Sequence, residues 1–494
     1  MKKISLIIFA VLSVFTSVLA QNVDDALRYS QVFYGGTARF MSMGGAFTAL
    51  GGDMSSLSQN PAGLGVYRSS EITITPQLFR INTLAGFNGI TSDYLYNFNL
   101  HQIGIVSNII NRNTETGLIS FNLGYSFNKT NNLNQSIVIQ GINNTSSMAD
   151  YWALSSNGIL KDNLVDAAGM AYDAWVTNTT VPGGMQYATV FSDYGITPTS
   201  TYGQDVRRIV STSGYTGEHA LSMGGNYSNK IFFGATFGIS TLKYTSHYEH
   251  LESTNIALPS EFKNFTYTEH FENTGTGYNL KLGAIIKPIE TVRIGFAFHT
   301  PTFYKIDETF YQNLTSNFTN GDHYEYSINP MRYNYALTTP FRVLTGVAVQ
   351  IKKIALLSAD YEFVDYSIAK FSHTQDSYDY SSKNRDIKNS LKSASNIRLG
   401  GELRLNKLYL RTGYGYYGKA FKPGEDNQNL DYTSISGGIG YREQNLSIDF
   451  AYTNYSYSQT NILYPLDSSF VPASAKLSTH TNMFTLTLGY KFGL

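Results

Sequence analysis

The 494-residue chain contains no cysteine, which excludes a disulfide framework and is compatible with export without requiring it. Charge is scarce and balanced. There are 36 Lys+Arg against 36 Asp+Glu, and charged residues form 15% of the chain where a soluble average is roughly 25%. A net charge of zero removes the electrostatic signal for nucleic acid, so no such partner is expected. After residue 20 no apolar run approaches the roughly 20 residues that a membrane helix needs. If the mature chain sits in a membrane, it must do so as a closed barrel. Enzyme signatures are missing too, with neither G-x-S-x-G nor H-E-x-x-H present. "GYGYYG" at 413–418 has dinucleotide spacing but lies within a strand pattern and opens no helix. His247 and His250 are three apart, which on a strand puts them on opposite faces and argues against a metal site. No enzyme activity, cofactor or metal is expected.

Aromatics are abundant, at 14% with 38 Tyr and 30 Phe, and there are 43 Gly. Tyr suits a place that is apolar on one side and wet on the other. Residues 1–20 read as a secretory signal. Lys2 and Lys3 precede the apolar "ISLIIFAVLSVFTSVLA", and small residues at 18 and 20 predict cleavage between Ala20 and Gln21.

Period-two alternation dominates the rest. In "LISFNLGYSFN", Ile119, Phe121, Leu123, Tyr125 and Phe127 share one face, while small and polar residues share the other. Tight turns stand at 111–113, 228–230, 287–290, 352–353, 406–407 and 442–445. Longer polar segments stand between them at 249–262, 307–325, 371–391, 419–429 and 463–477. Short turns on one side and long loops on the other are the pattern of an outer-membrane barrel. The fold class is therefore all-β: a transmembrane antiparallel β-barrel of fourteen strands, with the third at 116–128, the seventh at 292–306 and the eighth at 326–351. "SIVIQG" at 136–141 also alternates, but counting it as a further strand gives an odd total, so it is placed in a long outer loop, 129–216. Within that loop, Leu164, Ala168, Ala171 and Trp175 have helical spacing, and Trp152 lies nearby. This apolar stripe either packs the loop or offers a ligand landing surface.

The C-terminal "FTLTLGYKFGL" alternates to its last residue. Its Thr487, Gly489, Phe492 and Leu494 match the tail pattern read by barrel-assembly machinery, an expected partner. Inward positions carry charge: Arg293, Arg342, Arg398, Arg404, Arg411 and Arg442, with Asp360, Glu362, Glu402 and Asp449. Either these pair with one another and fill a polar lumen, or one unpaired Arg holds a ligand carboxylate.

Five segments in order resemble the outer-membrane long-chain fatty acid and aromatic hydrocarbon transporter family (FadL/TodX type): "ARFMSMGGAFTALGGDMSSLSQNPAGL" at 38–64, then 275–301, 338–367, 396–423 and 436–455. The stretch 129–216 is the least covered. The resemblance implies a signal at 1–20, a hatch at 21–68 plugging the lumen, and a barrel at 69–494. It implies passive uptake of a hydrophobic small molecule in the outer membrane of a Gram-negative bacterium, by a monomer. It further implies sideways release into outer-membrane lipid through a gap at a kink in the third strand, near the hatch turn Asn60-Pro61-Ala62. Gly117 and Gly124 are where such a bend would be cheap. Alternatives are a structural or adhesive barrel with a sealed lumen, a lipid-modifying enzyme, and a haem receptor using His219, His247 or His299.

Overall fold

The computed structural model describes residues 21–112, 114–195, 202–352, 354–374, 378–466 and 473–493. The expected signal segment with Ala20, and the terminal Leu494, lie outside them. Fourteen antiparallel strands close into one sheet. In chain order they are Ser70–Gly86, Ile90–Asn111, the third in two pieces, Gln204–Tyr227, Ile231–Ser253 and Phe262–Ile289. The seventh and eighth follow, also in two pieces each. The last six are Ala355–Asp365, Ser393–Leu405, Leu408–Tyr417, Tyr432–Glu443, Leu446–Ile462 and Ser474–Phe492. The last strand pairs with the first from Ser70 opposite Phe492 to Gly86 opposite Lys476, which leaves no free edge there. The short side is tight for a stated reason. Ser228 and Asn229 both take positive φ, 54° and 57°, as the right-handed twist of a two-residue hairpin demands.

Three strands depart from their expected form. Residues 136–141 are not loop. They belong to Gln135–Asn143, which continues the third strand (Leu118–Asn132) and pairs with Gln204–Thr212 of the fourth. The alternation that makes them a strand also buries Ile137 and Ile139, so the strand total stays even because the segment prolongs an existing strand. The seventh strand is Val292–His299 and Phe303–Phe318, and the eighth is Met331–Thr338 and Arg342–Ile351. Their breaks contain Pro301 and Pro340, which cannot donate to a ladder. The breaks lie side by side. Thr339 N–H donates to the Thr302 carbonyl (3.0 Å), and Thr302 N–H donates to Thr339 Oγ1 (2.9 Å).

Outward positions of the lower barrel are large and apolar, among them Ile74, Leu282, Phe296, Val347, Leu399, Ile439 and Leu486, all exposed. A soluble surface does not carry so continuous an apolar belt, whereas a lipid-facing one requires it. Higher up, outward positions turn to Lys243, Glu272, Lys305 and Asp307, so strand segments beyond them stand in water. No helix among the described residues is long and apolar enough to cross a membrane.

Residues 21–68 pack against inward positions of the wall, Thr48 on Asp360 and Leu50 on Arg293 among them. Asn22 caps the helix Val23–Ser30 through Asp25 N–H (2.9 Å), and Thr37 caps Ala38–Ser42. Thr37 Oγ1 donates to the buried Asp53 carboxylate (2.9 Å), whose Oδ1 also accepts from Ser55 N–H (3.0 Å). These short-range bonds let a segment with little regular structure hold one shape. At the outer end, the helix Met148–Ser156 packs on the extended fifth and sixth strands and the helix Asp166–Asp173 on the seventh.

Candidate functional site

The inward charges form two linked clusters that tie hatch to wall. Glu362 accepts from Arg398 (2.8 Å) and from Arg342, which also donates to the Ser30 carbonyl of the hatch. Glu402 accepts from Arg39 of the hatch (3.1 Å), Arg404 (3.0 Å) and Arg411 (2.8 Å). Arg411 and Arg442 both reach Asp449 at 2.7 Å. Asp360 accepts from Thr48 N–H (2.9 Å), and Arg293 donates to the Leu50 carbonyl (2.7 Å). Each of these arginines has an anionic or carbonyl partner, while Arg398 Nε and Nη2 and Arg411 Nη2 make no hydrogen bond among the described residues. Pairing of this kind is what lets a charge be buried at all.

Asn60 begins the 3₁₀ turn Pro61–Val66. Its side chain accepts from Ala62 N–H (3.1 Å) and donates to the Thr48 carbonyl (2.6 Å). Ala62 packs on Phe232 and Ile285 of the fifth and sixth strands. Leu64, at the far end of the turn, reaches the third strand, where Asn122 Nδ2 donates to its carbonyl (2.8 Å).

The outer-loop trio does not gather on one surface. Trp152 is 1% exposed, held between Phe265 and Tyr267 with ring centroids 5.2 and 5.4 Å away. Leu164 is half-buried. Trp175 is 47% exposed but lies beyond the helix Asp166–Asp173, with φ of 58°. Trp152 is therefore core, because its helix is pinned from below. Glu252 accepts from Met148 N–H (2.9 Å) and Ser147 Oγ, while Asp150 completes a capping box. Burial outweighs the hydrogen bonds that Asp150 receives from Ser147 N–H and Tyr202 OH, and pushes its carboxyl up to about 6. Beside it, His250 bridges Arg208 Nε (3.2 Å) and Glu252 Oε1 (2.9 Å). Burial and the Arg208 charge push its imidazole down to about 4.

The three histidines considered for haem point three ways. His219 stacks with Tyr125 on the outer face, His247 is exposed, and His299 is buried in the lumen against the Gln59 carbonyl (2.8 Å).

The second and third strands are paired over only part of their length. Their ladder runs from Asn111 opposite Ser120 up to Gln102 opposite Asn128 and stops there. Above it the second strand, from Ile90 to Leu100, pairs only with the first, and His101 stands at a bulge opposite Thr75 and Pro76. The third strand bends away through an irregularity at Lys129–Asn131. The carbonyls of Lys129 and Thr130 then accept from Gly35 N–H (3.0 Å) and Phe33 N–H (2.7 Å) of the hatch. The bend contains no glycine. Gly117 sits in the turn before the strand with φ of 82°, and Gly124 lies within the regular ladder. The hatch, by offering substitute hydrogen bonds, makes the bend possible. Side-chain bonds cross the gap, Asn97 Nδ2 to Asn134 Oδ1 (3.5 Å) and, higher, Ser136 Oγ to Asp93, Thr91 Oγ1 to the Val138 carbonyl and Asn88 Nδ2 to the Ile142 carbonyl (2.7 Å). Outside, Tyr94, Tyr96 and Phe98 are exposed in a row beside it. Inside it lies a cavity of about 510 Å³, between the hatch and the first, second, third, thirteenth and last strands. Phe79, Ile81, Leu133, Ile137, Tyr455 and Met483 line it together with Asn99, His101 and several amides. This is within the size range of small-molecule sites. Sequence reasoning missed these lining residues, since they come one or two at a time from many strands. The inward parity of Asn99 and His101 was the only local signal.

No family model and no curated protein matches the chain. Solved structures do. A Pseudomonas aeruginosa FadL homologue superposes with a TM-score of 0.55 at 13% identity, over 94% of this chain and 100% of that one. The Pseudomonas putida toluene transporter TodX superposes with a TM-score of 0.52 at 13% identity, over 93% of this chain and 99% of that one. The chain shares their fold from end to end.

Proposed function

We propose that the chain is a FadL/TodX-type outer-membrane channel for passive uptake of hydrophobic small molecules, of the long-chain fatty acid kind, with sideways release into the membrane. One observation carries this reading: the second and third strands part beside the luminal cavity, which Asn99 and His101 line from one strand and Asn134 and Gln135 from the other. An acyl chain gains roughly 0.8 kcal/mol for each CH₂ removed from water. A water-filled exit would cost that gain, whereas an exit into lipid keeps it. The apolar belt, the short-turn side and the end-to-end fold likeness support the membrane setting. A barrel with a solid lumen fits less well, because the cavity is present.

The lack of cysteine makes a direct test clean. Asn97→Cys with Asn134→Cys places two thiols across the gap, to be joined by a short bifunctional thiol reagent. Uptake of labelled hexadecanoate by cells carrying the cross-linked protein should fall to the level of cells lacking it, and each single variant should be unaffected. Undiminished uptake through a cross-linked gap would rule out sideways release.

A further inference from the structure

Two polar groups on the cavity wall take no part in the charge clusters. His101 is 7% exposed, and neither of its ring nitrogens has a hydrogen-bond partner among the described residues. The Asn99 side-chain oxygen is likewise buried and unpartnered. The other buried histidines are engaged, His250 by Arg208 and Glu252 and His299 by Tyr34 and Gln59. The His101 ring is also held in place. Gly35 of the hatch passes so close that a Cβ there would lie 2.5 Å from Nε2 and 2.4 Å from the Lys129 carbonyl. Leaving a buried polar group unpaired costs roughly 1–3 kcal/mol. Exceptions of that size in a folded protein call for a role. Other buried polar atoms of the described residues also lack partners, Trp152 Nε1 and Arg411 Nη2 among them, but of these groups His101 and Asn99 are the ones that line this cavity, on consecutive inward positions of the strand that borders the gap.

We propose that His101 and Asn99 are specificity-determining residues that hold the uncharged, hydrogen-bonding head of an amphiphilic ligand, a hydroxyl or a protonated carboxyl, at the threshold of the gap. This rests on the channel reading above. No carboxylate touches the ring among the described residues, and a neutral imidazole has one donor and one acceptor nitrogen. A hydroxyl or a carboxylic acid also has one donor and at least one acceptor, so it pairs with whichever ring nitrogen it meets, donating to the bare one or accepting from the protonated one, and the Asn99 oxygen adds a second acceptor. A hydrocarbon satisfies neither. A carboxylate offers acceptors only and brings a charge into a buried site. The apolar body of the ligand lies along Phe79, Ile81, Leu133 and Ile137. Lys129 also lines the cavity, but its ammonium stands 4.7 Å from the Tyr215 ring.

The test uses the full barrel in lipid nanodiscs and three labelled probes, dodecan-1-ol, dodecane and dodecanoate. The wild type should prefer dodecan-1-ol to dodecane. His101→Leu should weaken dodecan-1-ol binding about tenfold or more while leaving dodecane unchanged, since a site built for a hydroxyl is selective through the groups it would otherwise strand. His101→Gln, which keeps a donor and an acceptor, should retain most of the preference. If His101→Leu fails to fold, Asn99→Leu carries the test with a smaller loss in the same direction. An alcohol-to-alkane ratio near one, or a ratio unchanged in the variants, overturns the proposal and leaves the channel standing. A preference for ionised dodecanoate that disappears in Lys129→Met overturns it as well, moving the head to the ammonium. A wild type that binds none of the three probes overturns the channel reading itself.

Discussion

At the scale of single residues, the fit of hatch to wall depends on where a side chain is missing. Ala62, Gly63 and Gly65 are visibly small in the sequence, and they suggested a turn that packs closely. The other half of that fit was illegible, because it comes from two glycines far along the chain. A Cβ on Gly234 would lie 2.2 Å from the Pro61 carbonyl oxygen, and one on Gly283 would lie 1.9 Å from Asn60 Oδ1. Neither distance is tolerable, so either Gly→Ala change must displace the turn. Overpacking of this sort costs roughly 1–3 kcal/mol. Gly234→Ala and Gly283→Ala should expose the hatch to limited proteolysis while the barrel keeps its folded mobility on unheated gels. Gly437→Ala, whose Cβ would find only the Arg411 carbonyl at 3.7 Å, should do nothing. Equal protection of all three would mean that the hatch has slack where the structure has none. The charge pairs were legible at the same scale in one respect only. Strand parity pointed ten side chains inward, but which arginine meets which acid depends on the register between strands, which the sequence does not display.

At the scale of elements, alternation located most strands, and the errors fall where tertiary contacts extend or interrupt it. Pro301 and Pro340 were in plain view inside two expected strands, and their inability to donate could have placed both breaks. The bend in the third strand had no such marker, since the hatch supplies it. The outer cap shows how two buried groups set the behaviour of one element. Asp150 at about 6 lies above its ordinary value, so its contribution to cap stability is present below about pH 4 and is lost as pH rises through 6. His250 at about 4 lies below its ordinary value, so its contribution is present above about 6.5 and is lost as pH falls toward 4. Each displacement corresponds to roughly 3 kcal/mol with opposite sign, so between pH 4 and 6.5 they nearly cancel. Amide exchange across Met148–Ser156 should therefore change little over that window in the wild type. In Asp150→Asn only the histidine remains, and protection should fall steadily as the pH is lowered. A pH-independent Asp150→Asn cap would show that His250 gains a proton without strain.

At the scale of the whole molecule, one strand states the architecture in two adjacent residues. Arg398 is 1% exposed inside the barrel and paired with Glu362. Its neighbour Leu399 is 46% exposed outside. In a soluble protein the more exposed position is the one that accepts charge. Here the order is inverted, because the exterior is the apolar belt and the interior is a closed polar network. The inversion has a measurable size. An arginine facing lipid near the bilayer midplane costs roughly 2–4 kcal/mol, falling toward zero at the interfaces. Leu399→Arg should lower the stability of the barrel refolded in phospholipid vesicles by about that amount in a urea titration. The change adds no internal clash, so the loss has no other source. Removing the inner charge works through a different route. Arg398→Leu leaves Glu362 with Arg342 as its single ion-pair partner among the described residues and releases the ring of Tyr34, 5.2 Å from the guanidinium. It should loosen the hatch more than the wall. If Leu399→Arg were neutral in vesicles, the belt would not be facing lipid, and the gap between the second and third strands would open onto water. Sideways release would then lose its physical reason, so this substitution, far from the cavity, bears on the function as directly as any change within it.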